Sequence, residues 1–152
     1  MTNNTELLKA AIKQVHLKYE FNIIALCILK NHIHMIIKEP DLNNYSKIVG
    51  NIKKYFSYYY TQKPPKNILP DSMKKRKEAG VWQRRFYDHI IRNEEDLYKH
   101  IDYIHYNPYK HYNIAPKDWP FSTFHKFVKN DYYDENWLNA GDKNKIIDMD
   151  LE

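Results

Sequence analysis

The sequence has very little cysteine and glycine and no long hydrophobic run. Its one cysteine, Cys27, excludes an internal disulfide framework and a metal cluster held by cysteines alone. The longest apolar stretch, from Phe21 to Leu29, is too short to cross a membrane, and polar residues from Thr2 to Thr5 stand where a secretory signal would begin. These absences predict a cytoplasmic protein, and 152 residues suffice for one domain with its own core.

Positive charge and aromatic rings, by contrast, are abundant. Lysine and arginine number 24 against 19 acidic residues, which gives a net charge of +5, and there are 14 tyrosines. Cations bind phosphates and flat rings stack on unpaired bases, so this composition favours a nucleic-acid ligand. A small basic protein without such a ligand is the alternative that composition alone leaves open.

The charge is distributed unevenly along the chain. Residues 53–85 contain ten basic and two acidic residues, a net charge of +8. Residues 129–152 contain three lysines and seven acidic residues, a net charge of −4. A focused positive segment attracts polyanions more strongly than scattered charge does. The alternative interpretation of residues 53–85 is a solvated, lysine-rich loop.

Apolar periodicity, capping residues and proline positions predict the order helix, strand, strand, helix, strand, helix. The predicted helices are residues 5–19, 42–61 and 93–107, and the predicted strands are residues 21–29, 32–38 and 86–91. Pro108 is expected to end the third helix, because a proline disfavours the helical conformation of the residue before it. Residues 63–80 are expected to form a basic loop, and residues 122–128 one helical turn.

This order of elements predicts an α+β fold, a ferredoxin-like antiparallel sheet with helices on one face that lacks the usual first strand. The domain would span residues 1–128. Residues 129–152 would follow it as an acidic C-terminal tail, which we expect to be loosely packed.

Two histidines mark the predicted second strand. Side chains alternate along a strand, so His32 and His34 share one face and Ile33 points to the other. Two imidazoles on one face can hold one divalent metal ion. On spacing alone, surface or core histidines without a ligand remain the commoner explanation.

The third predicted helix places His100, Tyr103 and Asn107 on one face, because they are spaced three and four residues apart. A tyrosine beside an amide and a histidine is a candidate nucleophile with metal ligands nearby. An ordinary amphipathic helix with a tyrosine at the rim of the core is the alternative. His89, in the predicted third strand, is interpreted as structural.

Taken together, these blocks resemble the REP-associated tyrosine transposases, which are single-tyrosine HUH transposases. The matching segments are His-Ile-His at residues 32–34, RFYDHIIRN at 85–93, YKHIDYIHYNPYK at 98–110 and DWPFSTFH at 118–125. The resemblance covers residues 5–128, and several blocks in this order are far more specific than any one of them.

The resemblance implies metal-dependent nicking and strand transfer of single-stranded or hairpin DNA through a 5′-phosphotyrosine intermediate. Tyr103 matches the nucleophile, and His32, His34 and Asn107 match the residues that hold Mg²⁺ or Mn²⁺. A homodimer is a further possible partner arrangement. The basic residues that we expect to contact DNA phosphates are Lys53, Lys54, Lys74, Lys75, Arg76, Lys77, Arg84 and Arg85.

The sequence departs from this family at its beginning, since the family normally has a strand before the first helix. Three explanations stay open: a start codon farther upstream, a strand supplied by another chain, or a decayed gene. Two other functions stay open with them. One is an inactive binder of hairpin or single-stranded nucleic acid, and the other is an interaction protein whose open sheet edge recruits another chain.

Overall fold

The computed structural model describes residues 1–40 and 43–138, which contain helices and one β-hairpin. The regular elements in chain order are α1 (Thr5–His16), β1 (Asn22–Ile28), β2 (Ile33–Lys38), α2 (Tyr45–Tyr59), α3 (Asp71–Lys75), α4 (Glu94–Tyr112) and α5 (Phe124–Lys129). The chain divides into two compact units. We call them the sheet unit (Met1–Thr5, Asn22–Lys38 and the described residues from His89 onward) and the basic unit (Glu6–Phe21 and Glu39–Asp88).

The hairpin of β1 and β2 is antiparallel and is the centre of the sheet unit. Cys27 pairs with His34 and Ile28 pairs with Ile33, and the turn is closed by the Leu29 amide donating to the His32 carbonyl at 2.9 Å. The other edge of β1 bonds to a later segment, where the Ile28 amide donates to the Phe121 carbonyl at 2.8 Å. The predicted strands at residues 21–29 and 32–38 are thus confirmed, and the fold is α+β with a two-stranded antiparallel sheet.

The predicted third strand at residues 86–91 is wrong, since the structure shows no strand there. Tyr87 is 74% exposed and Ile90 is 58% exposed. A strand needs a neighbour that accepts its hydrogen bonds. Within the described residues no strand lies beside this segment, and Thr2–Asn4, which precede α1, form a 3-10 turn.

Helix α4 packs against both strands of the hairpin and is longer than predicted. It begins at an Asn93 cap, whose side chain accepts the Asp96 amide at 2.8 Å, and it ends at Asn113 in the left-handed conformation (φ 54°). The expectation that the helix stops before Pro108 is wrong. A proline inside a helix costs about 3 kcal/mol, and burial of the run from Tyr103 to Pro108 offsets that cost. The helix therefore carries four more residues beyond Pro108.

The basic unit holds α1, α2 and the loop that follows them. The predicted helices 5–19 and 42–61 are confirmed as α1 and α2, with shorter ends, and residue 42 lies outside the described residues. Residues 63–80 contain a 3-10 turn at Lys66–Ile68 and the short α3. Gly80, with φ 68°, closes this loop so tightly that an added Cβ would lie 2.4 Å from Leu69 Cδ2.

The segment after α5 is packed more firmly than predicted. Tyr133 and Leu138 are both buried, so the expectation of loose packing fails for residues 130–138. Tyr133 stacks on the Phe124 ring with centroids 5.2 Å apart, and aromatic contacts of this kind outweigh the acidic composition. Residues 139–152 of the predicted tail lie outside the described residues. Within residues 1–40 and 43–138, no helix has the length and apolar character needed to cross a bilayer.

Candidate active site

Helix α4 packs on the hairpin and thereby places Tyr103 next to His32 and His34. Tyr103 is 4% exposed, and its ring meets the His34 ring edge-on with centroids 5.7 Å apart. His32 and His34 lie with their ring centroids 4.9 Å apart. Three of the four predicted catalytic and metal-binding residues, separated by about 70 positions in the chain, therefore form one cluster.

A third histidine, His111, joins this cluster. Its ring lies 5.0 Å from that of His32, and one ligand nitrogen from each of His32, His34 and His111 falls within 4.8 Å of the others. Sequence reasoning did not single out His111, because it lies beyond the proline that was expected to end the helix. Its spacing of eight residues from Tyr103, about two helical turns, was the signal that could have identified it.

Asn107 lies one turn after Tyr103 on α4 and is fully buried. Its side-chain Nδ2 donates to the Tyr103 carbonyl at 2.7 Å. Its Oδ1 is buried and has no hydrogen-bond partner among the described residues. A buried oxygen without a partner costs roughly 1–3 kcal/mol, and an amide oxygen is a ligand that Mg²⁺ and Mn²⁺ accept. The three imidazole nitrogens are close enough together to hold a divalent cation, and the Asn107 oxygen is a further candidate ligand on the helix that carries Tyr103.

Lys110 is a second residue that sequence reasoning missed. Its Nζ donates to the Tyr103 hydroxyl at 2.9 Å, across seven residues of the same helix. The ammonium also lies 4.9 Å from the centroid of the Tyr103 ring. A positive charge in this position stabilises negative charge on the phenol oxygen, so Lys110 is suited to assist Tyr103 if that residue is the nucleophile that the resemblance implies.

A buried polar network lies on the opposite side of α4 and fastens it to the rest of the sheet unit. The Tyr133 hydroxyl donates to Asp102 Oδ1 at 2.6 Å, so its oxygen accepts from His105 Nδ1 (3.2 Å). His105 Nε2 lies 2.8 Å from Thr123 Oγ1, whose hydroxyl is also within reach of the Leu26 carbonyl at 3.3 Å. The Leu26 amide of β1 donates to the same Thr123 oxygen at 3.0 Å. Both ring nitrogens of His105 are therefore used structurally.

Burial sets the protonation states in this network. It lowers the pKa of His105 to about 3 and keeps the imidazole neutral at physiological pH. Burial raises the pKa of the Asp102 carboxyl, and the hydrogen bond from Tyr133, which lowers that pKa, cancels only part of the rise. It also raises the pKa of the Tyr133 hydroxyl. Tyr133 therefore stays protonated and positions Asp102, the neighbour of Tyr103.

The eight predicted DNA-binding residues all belong to the basic unit. Three of them have partners there. Lys53 donates to the Gln83 carbonyl at 2.6 Å, and its burial lowers its pKa. Arg76 pairs with Glu78 at 2.7 Å, and Lys74 pairs with Asp71 at 3.2 Å. The other five are exposed, and none has an ion pair with the residues that the structure describes: Lys54, Lys75, Lys77, Arg84 and Arg85.

Comparison with known proteins gives a consistent result. The family model described as "Transposase IS200 like" matches residues 2–107. A protein from Haemophilus influenzae that carries the name REP-associated tyrosine transposase is 40% identical over 141 residues, which cover 90% of this chain and 78% of the relative. A REP-associated tyrosine transposase from Escherichia coli K12 is 35% identical over 144 residues, which cover 93% of this chain and 76% of the relative.

Structural comparison agrees. A solved structure of a REP-associated tyrosine transposase bound to a REP hairpin matches with a TM-score of 0.71 and 33% identity, covering 91% of this chain and 76% of that one. The chain therefore belongs to the IS200-like transposase family, and among its members to the REP-associated tyrosine transposases.

Proposed function

We propose that this transposase is a metal-dependent DNA strand nickase and strand transferase that works through a 5′-phosphotyrosine intermediate. The observation that carries the proposal is the position of the Tyr103 hydroxyl, which receives the Lys110 ammonium at 2.9 Å while the Tyr103 ring contacts that of His34. A buried tyrosine between a lysine and a cluster of three histidines is poorly suited to a purely structural role.

In the proposed reaction the Tyr103 Oη attacks a phosphodiester of single-stranded DNA. The Oη–P bond forms, the bond from phosphorus to the 3′ oxygen breaks, and the phenol proton is lost while the 3′ oxygen gains one. The Lys110 Nζ stabilises charge on Oη as the proton leaves. In strand transfer a 3′-hydroxyl attacks the phosphotyrosine, so that a bond from the 3′ oxygen to phosphorus forms and the Oη–P bond breaks. The 3′-hydroxyl loses its proton and the Tyr103 Oη regains one, while the Lys110 Nζ stabilises the departing phenolate.

His32, His34 and Asn107 are the residues proposed to hold Mg²⁺ or Mn²⁺, and the geometry adds His111 to them. A divalent cation bound there would polarise the scissile phosphate and stabilise charge on the leaving oxygen. Imidazole-rich donors favour Mn²⁺ over Mg²⁺. We therefore expect the protein to bind Mn²⁺ more tightly.

Hairpin or single-stranded DNA is the proposed substrate, as the solved relative was bound to a REP hairpin. The five exposed basic residues of the basic unit are suited to contact phosphates, since none of them forms an ion pair with the residues that the structure describes, although Arg84 lies near enough to Glu78 to help lower the pKa of that carboxyl. Lys74 would exchange its exposed Asp71 partner for a phosphate at little cost, because surface ion pairs contribute only about 0–1 kcal/mol. Arg76 would have to leave Glu78, which is partly buried.

The test is a denaturing-gel assay with single-stranded DNA from both flanks of the gene, including palindromes, with Mg²⁺ or Mn²⁺. We expect a covalent protein–DNA band that requires metal and disappears in Tyr103→Phe. Tyr98→Phe is the matched control, since Tyr98 is an exposed tyrosine of the same helix. Hairpin binding by a folded sample without any adduct would replace this proposal with that of a non-catalytic binder.

A further inference from the structure

Two aromatic side chains hold the turn between β1 and β2. The Lys30 backbone amide donates to the Tyr112 hydroxyl at 3.0 Å. The Trp119 indole Nε1 donates to the Ile28 carbonyl at 3.1 Å. The Tyr112 and Trp119 rings stack on each other, with centroids 5.2 Å apart and planes 27° from parallel. We call these two residues the aromatic pair, and it ties the end of β1 to residues that lie 82 and 91 positions later in the chain.

The aromatic pair is next to the histidines of the candidate metal site. Tyr112 directly follows His111, and Lys30 lies two residues before His32. The Leu29 amide donates to the His32 carbonyl at 2.9 Å, so the backbone on both sides of Lys30 is fixed within the turn. The rings of His32 and His111 lie 5.0 Å apart. The hydrogen bond between Lys30 and Tyr112 therefore joins the two chain segments that carry these histidines.

The position of His111 depends on how the last turn of α4 is held. The helix ends at Tyr112 and is followed by Asn113 in the left-handed conformation (φ 54°). The last four carbonyls of a helix have no partner within it, and helix ends fray. His111 is exposed, whereas Tyr112 is half-buried and packs against the core of the sheet unit. Contacts of Tyr112 thus restrain the turn that carries His111.

The hydroxyl of Tyr112 can be separated from its ring. The Lys30 ammonium lies 4.7 Å from the centroid of the Tyr112 ring, and the ring also stacks on Trp119. A phenylalanine at this position keeps both ring contacts and loses only the acceptor of the Lys30 amide. The effect of that one hydrogen bond is therefore measurable in a protein with the same packing.

We propose that Tyr112 is a positioning residue of the metal site, because its hydroxyl holds the Lys30 amide and so keeps the His111 imidazole beside that of His32. The inference rests on the proposed function, since it concerns the ion that His32, His34 and His111 would hold. Hydrogen bonds outside the ligand shell orient the ligands, and their loss costs about 10–100-fold in metal affinity. Tyr112 acts through His111 and is not itself proposed as a ligand.

The test is titration of the full chain, without an affinity tag, with Mn²⁺, followed by the paramagnetic resonance signal of the free ion. We expect Tyr112→Phe to weaken Mn²⁺ binding about tenfold, and circular dichroism checks that it keeps the fold. Tyr98→Phe, at an exposed tyrosine of the same helix, should bind as the wild type does. Tyr133→Phe loses a hydrogen bond on the opposite side of α4 and should also bind normally, which separates positioning from a general loss of stability.

A His111→Ala background shows whether Tyr112 acts through His111. Tyr112→Phe should cause no further loss of Mn²⁺ affinity there, because the side chain that the hydroxyl positions is gone. A further tenfold loss in that background, or wild-type affinity in Tyr112→Phe alone, would overturn the inference and leave the proposed metal site standing. Absence of Mn²⁺ binding in the wild type would contradict the proposed metal site itself, and this inference with it.

Discussion

Acidification should destabilise this protein through one buried histidine, His105. Its side chain is 0% exposed and its folded pKa is about 3, against 6.5 for an ordinary histidine. Between these values the unfolded chain binds a proton that the folded chain excludes. The stability that the neutral imidazole contributes is therefore complete above about pH 6.5 and is lost as the pH falls toward 3.

The size of the effect follows from the same two pKa values. Linkage predicts that the free energy of unfolding is about 2 kcal/mol lower at pH 5 than at pH 7 from His105 alone. The raised pKa of Asp102 acts in the opposite direction, since protonation of that buried carboxyl relieves a desolvation cost. The experiment must therefore separate the contribution of His105 to the pH dependence from that of Asp102.

Urea unfolding followed by tryptophan fluorescence at pH 7 and pH 5 measures the effect. His105→Gln keeps a side chain that can donate to Tyr133 and accept from Thr123 but does not titrate. We expect the wild type to lose about 2 kcal/mol more than His105→Gln between the two pH values. His125→Gln, an exposed position, should behave as the wild type does. Equal pH dependence in the wild type and His105→Gln would refute the reasoning.

Three further predictions follow from other contacts. Tyr133→Phe leaves the half-buried Asp102 carboxylate without its donor and should lower the free energy of unfolding by roughly 1–3 kcal/mol; a change below about 0.5 kcal/mol in urea unfolding would contradict this. Lys110→Met should slow single-turnover cleavage about 10²-fold while hairpin affinity is unchanged, and equal rates would show that Lys110 has no role in the reaction. Arg84→Gln/Arg85→Gln should reduce the slope of log affinity against log salt by about two, whereas an unchanged slope would exclude both as phosphate contacts.

Local patterns in the sequence were enough to locate most of the regular structure. Alternation and β-branched residues predicted β1 and β2, and apolar spacing predicted α1 and α2. The Asn93 cap was also visible, since the asparagine precedes three acidic residues. Each of these signals depends on a residue and its near neighbours, which is why it can be recognised without the fold.

The failures share one physical cause, since each was decided by distant residues. Pro108 stays inside α4 because the surrounding core buries it, and propensity alone could not show this. Residues 86–91 have strand-like composition, but no strand pairs with them in the part of the chain that the structure describes. Tyr133 is buried because Phe124 and Asp102 offer it a stacking surface and an acceptor.

In the candidate site, too, some features could be predicted from local sequence and others depend on distant residues. Residue order and the periods of strand and helix were enough to identify the family, the His-Ile-His pair on one face of a strand, and Tyr103 with Asn107 on one face of a helix. The continuation of α4 past Pro108 and its packing on the hairpin depend on contacts between distant residues. That continuation brings Lys110 to the Tyr103 hydroxyl and His111 to His32, since packing energy from the core outweighs the local cost of the proline.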